Sequence, residues 1–294
     1  MRRALRIAGI VAGILLVCAG AAAAFAYFGS EHKRNRVIAV APSAIAIPDD
    51  PAAMERGKYL FETRGCTDCH GRDGAGHTFI EDSGGLVVRG PNITMGQGSP
   101  VLGYRAVDWV KAIRHGVTPN GRPLIVMPSE DYNRMTDADL GAMVAYIRGL
   151  PAREGDGRRV ELPLPVQLAY ALGVVRDAAE KIDHSLPPAQ PPAPDDVLGK
   201  GAYAANMCLG CHGEGFRGGP IAGAPPDWPP AADLRPGGPM RSYASAEDFA
   251  GMLRTGRRPD GSDIKVMPFD SLKELSDDEI AALFAFLQSL PPAD

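Results

Sequence analysis

An all-α fold, built as two tandem repeats behind an N-terminal membrane helix, is what this 294-residue sequence predicts, on three observations. A Cys-x-x-Cys-His motif occurs twice, as Cys66-Thr67-Asp68-Cys69-His70 and, 142 residues on, as Cys208-Leu209-Gly210-Cys211-His212. The segment from Asp108 to Pro151 aligns without a gap to Asp248 to Pro291, with 13 of 44 positions identical, so the chain carries an internal duplication. Ile7 to Phe28 is an uncharged apolar run of 22 residues, which as a helix rises about 33 Å and matches the hydrocarbon thickness of a bilayer.

The elements follow in chain order. Residues 1–30 form a transmembrane anchor or a signal peptide. The apolar run is long for a signal peptide, which favours the anchor, although Ala22-Ala23-Ala24 and Ala24-Phe25-Ala26 both offer cleavage sites. Arg2, Arg3 and Arg6 ahead of it favour a cytoplasmic N-terminus, against a weaker basic flank at His32, Lys33, Arg34 and Arg36. Either reading exports the remainder. Residues 31–53 are a linker, 54–151 the first unit, 152–196 an interdomain helix and proline-rich linker, and 197–294 the second unit.

Within each unit the expected order is a helix with Cys-x-x-Cys-His, an irregular loop, a helix, a Met-Pro loop and a last helix. Gly57-Lys58 lies as far before Cys66 as Gly199-Lys200 lies before Cys208, which matches Phe61 to Tyr203. The middle helices turn Val107, Val110 and Ile113, or Phe249, Met252 and Leu253, inward. Thr136-x-x-Asp139 and Ser276-x-x-Glu279 are capping boxes. Behind them Leu140, Met143, Val144 and Ile147, and Ile280, Leu283, Phe284 and Leu287, repeat at i, i+3, i+4, i+7 and form one apolar stripe. Leu150-Pro151 and Leu290-Pro291 end both helices. Between the units, Leu162 to Val175 is apolar but too short for a comfortable span. It is expected to lie across the domain interface, with a membrane-surface role as the alternative.

Composition excludes some functions. The net charge of −4 argues against a nucleic-acid binder, which needs basic residues to meet phosphate. Thirty-five glycines and 27 prolines mean much loop, suited to wrapping a large apolar cofactor.

Each Cys-x-x-Cys-His motif reads as a covalent attachment site for a c-type haem. Residues three and four apart share a helix face, so Cys66 and Cys69 reach one porphyrin edge while His70 ligates the iron, and Cys208, Cys211 and His212 do the same. A thioredoxin-like pair would need a βαβ context, and a four-cysteine zinc site leaves the repeated Met127-Pro128 and Met267-Pro268 unexplained. A thioether is a poor zinc ligand but a common sixth ligand of haem iron. Met127 and Met267 are therefore the expected distal ligands, with His77 and His115 as rival ligands in the first unit. Gly219-Pro220 is expected to hold the free ring nitrogen of His212; no partner is assigned to His70. Arg114 and Arg254 either pair with haem propionates or stay solvated. Cys18, inside the apolar run, is given no function.

On these residues each unit resembles a class I cytochrome c domain. The exported part also resembles the membrane-bound cytochrome c subunits of periplasmic alcohol, aldehyde and sugar dehydrogenases, notably in Gly90-Pro-Asn-Ile-Thr94, Trp109 to Gly116 and Gly121 to Glu130. Many such subunits carry three haems, whereas this chain has two and leads with its membrane segment. The resemblance implies two haem c groups and a relay of single electrons on the periplasmic side of the cytoplasmic membrane. The donor would be a periplasmic dehydrogenase or a quinol-oxidising complex, and the acceptor a terminal oxidase or soluble cytochrome. Iron ligated on both sides by protein leaves no open position, so catalysis is not expected. The alternative is a dihaem peroxidase with one displaceable ligand, recruiting His77, Glu81 or His115.

Overall fold

A computed structural model describes residues 2–221, 224–225 and 227–293. Helix α1 (Arg2–Asn35) precedes two units of matching design. In the first, α2 (Pro51–Thr63) and the short α3 (Cys66–His70) carry the motif, α4 (Ala106–His115) follows, and α5 (Asp137–Gly149) closes the unit. In the second, α8 (Val197–Ala205) and α9 (Leu209–His212) carry the motif, α10 (Ala246–Thr255) answers α4, a one-turn α11 (Phe269–Leu272) follows Met267-Pro268, and α12 (Asp277–Ser289) answers α5.

The last helices form where their caps and stripes predict. Thr136 Oγ1 accepts from the Asp139 N–H at 3.1 Å, and Ser276 Oγ from the Glu279 N–H at 3.2 Å. Leu140, Met143, Val144 and Ile147 are buried in one core, and Ile280, Leu283 and Leu287 in the other, with Phe284 partly buried beside them. Each such side chain taken from water contributes roughly 1.5–3 kcal/mol, far more than a cap, so the stripe fixes the helix and the cap fixes its end. In the middle helices Val110, Ile113, Phe249, Met252 and Leu253 turn inward as expected. Trp109 is buried where Val107 is only partly so.

These last helices cross the first helix of their unit at a glycine. A Cβ on Gly57 would lie 2.1 Å from the Ala142 carbonyl oxygen, and one on Gly201 2.0 Å from that of Ala282, so only glycine permits the approach. The crossing corrects one expectation: the counterpart of Gly57 is Gly201, not Gly199. By the same register Tyr203 answers Tyr59 rather than Phe61, and Ala204 and Ala205 fill the buried places of Leu60 and Phe61. The second unit reaches its first motif cysteine two residues sooner, through a tight turn at Asn206–Cys208.

The segment 152–196 departs from the expected free linker. Strands β1 (Thr78–Glu81), β2 (Val87–Arg89) and β3 (Arg159–Glu161) form an antiparallel sheet in the order β1-β2-β3, so the linker contributes the third strand to the first unit. Helix α6 (Leu164–Ala171) packs on α1 instead of lying across the domain interface. Beyond it, α7 (Ala178–Lys181) is tied to the first unit by Lys181 to Glu130 at 2.6 Å. His184 and His115 then meet through their Nδ1 atoms at 3.0 Å. The proline-rich stretch reaches Arg134, whose carbonyl accepts from the Ala189 N–H at 3.1 Å.

The two units exchange side chains reciprocally. Tyr203 donates its hydroxyl to Asp139 Oδ2 at 2.8 Å and accepts from the Thr136 N–H at 3.1 Å. Tyr59 donates to Glu279 and accepts from the Ser276 N–H at 3.1 Å. Each capping box is thus half local and half completed by a tyrosine of the other unit, inserted between the N-cap N–H and the third-position carboxylate. Arg64, 6% exposed, forms an ion pair with Glu279 across the same boundary.

Candidate haem sites

Both motif histidines are held by one ring nitrogen. His70 Nδ1 lies 2.9 Å from the Pro91 carbonyl oxygen, and His212 Nδ1 lies 2.8 Å from that of Ala232. A carbonyl only accepts, so each Nδ1 carries the proton and each Nε2 keeps its lone pair for a metal. Burial, partly offset by these bonds, holds both imidazoles below their ordinary pKa and favours the neutral, ligating form. The second partner is not Gly219-Pro220, as expected. Gly219 instead exchanges backbone hydrogen bonds with Ala231, both at 2.9 Å, and so positions the neighbouring Ala232 carbonyl.

Sequence reasoning missed the device that shapes both turns. Gly76 and Gly218, each six residues after its motif histidine, have φ of 76° and 69° and donate their N–H to the His70 and His212 carbonyls, both at 2.8 Å. A Cβ at Gly76 would lie 2.3 Å from the Gly90 carbonyl oxygen, and one at Gly218 2.3 Å from that of Ala231. The left-handed turn therefore returns the chain against the segment that supplies the histidine's acceptor. The shared 142-residue offset was the available signal. In the Gly90 to Thr94 run, Asn92 Oδ1 accepts from the Thr94 N–H at 2.9 Å while Asn92 Nδ2 donates to the Arg153 carbonyl at 2.7 Å, which fixes Pro91 next door.

The cysteines and methionines gather on the same cores. Cys66 and Met127 both pack against the first apolar cluster, and Cys208 and Met267 against the second. Burial pushes the thiols of Cys66, Cys69 and Cys208 up to about 12, so they stay protonated, and Cys211 is also raised. Neutral histidines with free Nε2, paired cysteines in the adjacent turn and a thioether on the same core fit haem c in both units. His70, Cys66, Cys69 and Met127 would hold one group, and His212, Cys208, Cys211 and Met267 the other.

The rival residues are placed differently from one another. His115 is engaged with His184, and burial lowers its pKa to about 4. His77 faces a cavity of about 390 Å³ that it shares with Met267 of the other unit, not with Met127. Glu81 ends β1 on an exposed position. Arg114 is buried, whereas Arg254 stays exposed. They donate to the Met135 and Leu275 carbonyls at 2.7 and 3.1 Å and pair with Asp137 and Asp277, tying each methionine loop to the last helix.

The two sites face one another. Ser271, just after Met267-Pro268, donates to Asp68 between Cys66 and Cys69 at 3.0 Å. Reciprocally, the Gly210 N–H, between Cys208 and Cys211, donates to Asp131 at 2.6 Å, and Asp131 follows Met127-Pro128. Each attachment turn thus sits on the methionine loop of the other unit.

Residues 52–147 match the family model described as cytochrome c oxidase, cbb3-type, subunit III, and residues 197–291 match the cytochrome c model. The chain belongs to the cytochrome c family. Similar proteins include the cytochrome c subunit of gluconate 2-dehydrogenase from Pantoea cypripedii, 30% identical over 86% of this chain and 63% of the relative. The fructose dehydrogenase cytochrome subunit of Gluconobacter japonicus is 29% identical over 81% and 53%, and the cytochrome c subunit of alcohol dehydrogenase (quinone) from Gluconacetobacter polyoxogenes 28% over 83% and 58%. This cytochrome therefore spans between 53% and 63% of the length of these relatives. All three are named as the cytochrome subunit of a dehydrogenase.

Proposed function

We propose that this cytochrome is a two-haem relay. It takes single electrons from a periplasmic dehydrogenase or a membrane quinol-oxidising complex and passes them to a terminal oxidase or a soluble cytochrome. The observation that carries this reading is the reciprocal seat of each attachment turn on the other unit's methionine loop, which brings two cofactor sites to one interface. Haem c, when bound, supplies a one-electron couple. The chain's part is to fix both groups. His70 and His212 present an oriented Nε2, Met127 and Met267 a neutral soft ligand, the four motif cysteines the covalent links, and the Tyr59, Tyr203 and Arg64 contacts a constant separation. Of the groups the peroxidase alternative would recruit, His115 is engaged with His184 and Glu81 is exposed at the end of β1, which leaves His77, in the cavity it shares with Met267, as the one such group beside a haem site.

The same reading keeps α1 as an anchor in the cytoplasmic membrane, with the units on the periplasmic side. The Ala24-Phe25-Ala26 cleavage candidate lies inside a helix, with Ala26 1% exposed beneath the folded part of the chain. On the anchor reading the intact N-terminus is recovered by mass spectrometry of the mature membrane protein, and a chain beginning just after Ala24 or Ala26 would make α1 a signal peptide.

The relay is tested on the solubilised, full-length cytochrome. A haemochrome assay should give two haems per chain, and the oxidised spectrum should be low-spin throughout. Dehydrogenase with its substrate should reduce both haems. A high-spin iron at rest, with peroxide turnover, would overturn the relay in favour of the peroxidase.

A further inference from the structure

The segment that links the two units makes an excursion along α1 and returns. Arg34 donates to the Val160 carbonyl at 3.2 Å where the segment departs, and Lys33 donates to the Tyr170 and Val175 carbonyls at 2.9 and 3.5 Å where it comes back. Both ends are therefore tied at one level of α1, just past its apolar run. Between them α6 packs against the last apolar turns of α1. A Cβ on Gly29 would stand 3.0 Å from that of Ala171, and Ala26 and Ser30 are the buried residues of α1. From Leu162 to Val175 there is no charged side chain. The outward positions Leu172 and Val174 are 61% and 66% exposed, and Phe28, the residue before Gly29 on α1, is 70% exposed.

We propose that this excursion is a second membrane element, an apolar re-entrant loop that sits among the lipid acyl chains of the periplasmic leaflet and holds the first unit at a fixed tilt on the bilayer. The inference rests on the reading of α1 as a retained span. The occupant is lipid because the exposed apolar surface is continuous with the face that α1 itself presents to the membrane.

Two further features fit that medium. An apolar environment demands that backbone groups be satisfied within the chain. Here the N–H groups of Leu172, Gly173 and Val174 fold back on the Leu168, Tyr170 and Ala169 carbonyls at 2.9 to 3.1 Å, and Gln167 Nε2 donates to the Leu162 carbonyl at 2.7 Å. The charges gather at the other end, where the chain leaves the apolar region. Arg36 grips the fully buried Asp177 through both carboxylate oxygens at 2.8 Å, and Tyr170 donates to Asp177 at 2.6 Å. Lys33 pairs with Glu180 at 2.9 Å and Arg34 with Glu31 at 3.2 Å, so this collar of paired charges stands where lipid headgroups would begin.

Nitroxide labelling tests the proposal. Single cysteines would be placed at Leu172→Cys and Val174→Cys in the full-length, haem-loaded protein carrying Cys18→Ser, with Ile14→Cys in α1 as a lipid reference and Glu154→Cys as an aqueous one. The protein is reconstituted in phosphatidylcholine and phosphatidylglycerol vesicles. It is kept oxidised, and each reagent is compared with its absence at the same site, so that relaxation by the low-spin ferric haem is common to both and cancels. Relaxation by oxygen relative to a nickel chelate should be several-fold higher at 172 and 174 than at 154, and close to the value at 14. An aqueous ratio at 172 and 174 with a lipid ratio at 14 would overturn the re-entrant loop and leave the anchor standing. Weak relaxation by both reagents at 172 and 174 would mean that a protein segment covers the face, and would overturn lipid as its occupant. An aqueous ratio at 14 would overturn the anchor and the loop together. Both loop positions are exposed, so the labels require no repacking.

Discussion

Met267→Ala is expected to remove the sulfur-to-iron charge-transfer band of one haem and to lower that haem's midpoint potential by on the order of 0.1 V or more, within the ~0.8 V over which axial ligands set haem potentials. A thioether is neutral and soft and favours the ferrous state; water or hydroxide in its place favours the ferric state. Met127→Ala should do the same to the other haem, and the double variant should lose the band altogether. Met267 is only partly buried at the edge of its core, and the loop that carries it stays tied by Arg254 to the Leu275 carbonyl, so the fold should survive the change. Redox titration followed by optical spectra reads both effects. Full band intensity and an unmoved potential in either single variant would refute ligation by that methionine.

Glu279→Ala should uncouple the two units. It leaves the guanidinium of Arg64 buried without its carboxylate and removes the acceptor of Tyr59, and losing one partner of a buried pair costs about 3 kcal/mol or more. The wild type is expected to unfold in a single step and the variant in two, and electron exchange between the haems should slow, while each haem keeps its own spectrum. The pH dependence has a definite sign. Burial would raise the Glu279 carboxyl, but the charge and hydrogen bond of Arg64 and the hydroxyl of Tyr59 overcome it and hold the group below its ordinary value. A carboxylate depressed in the folded state contributes its stability above the unfolded pKa of about 4.3 and loses it as pH falls through the folded one. The stability gap between wild type and Glu279→Gln should be widest near neutrality and close in acid. A gap that stays constant with pH would remove Glu279 from the account.

The attachment motifs, the Met-Pro loops and the capped last helices were legible because each is a local pattern: a fixed spacing, a helical period, a cap three residues from its partner. The tyrosine exchange was not, since Tyr59 and Glu279 are 220 residues apart and a tyrosine on a helix reads as ordinary packing. Anchoring the duplication on the cysteines also misplaced Tyr203 by two residues. The helix crossing, set by Gly57 and Gly201, keeps a different register from the cofactor turn. The third strand of the first unit was hidden for a related reason. Arg159 to Glu161 is too short and too charged to signal a strand, and it becomes one only because Val87 to Arg89 offers an open edge beside it. The carbonyl partner of His212 was hidden because it comes from Ala232, 20 residues along the chain and well past the nearer Gly219-Pro220, and a backbone carbonyl leaves no mark in the residue type that carries it.

Because each unit both lends a tyrosine and receives one, the contact has the two-fold character of a homodimer joined end to end. Such an arrangement is what a single-unit ancestor that already paired with itself would leave after fusion of two gene copies, with divergence free to shorten one attachment arm and to turn the joining peptide to other use. It also carries a hazard, since the first unit of one molecule presents the surface that the second unit of a neighbour needs. A crowded membrane would favour that exchange unless the peptide between the units is held close, and its strand, its helix and its bond to His115 do that along most of its length.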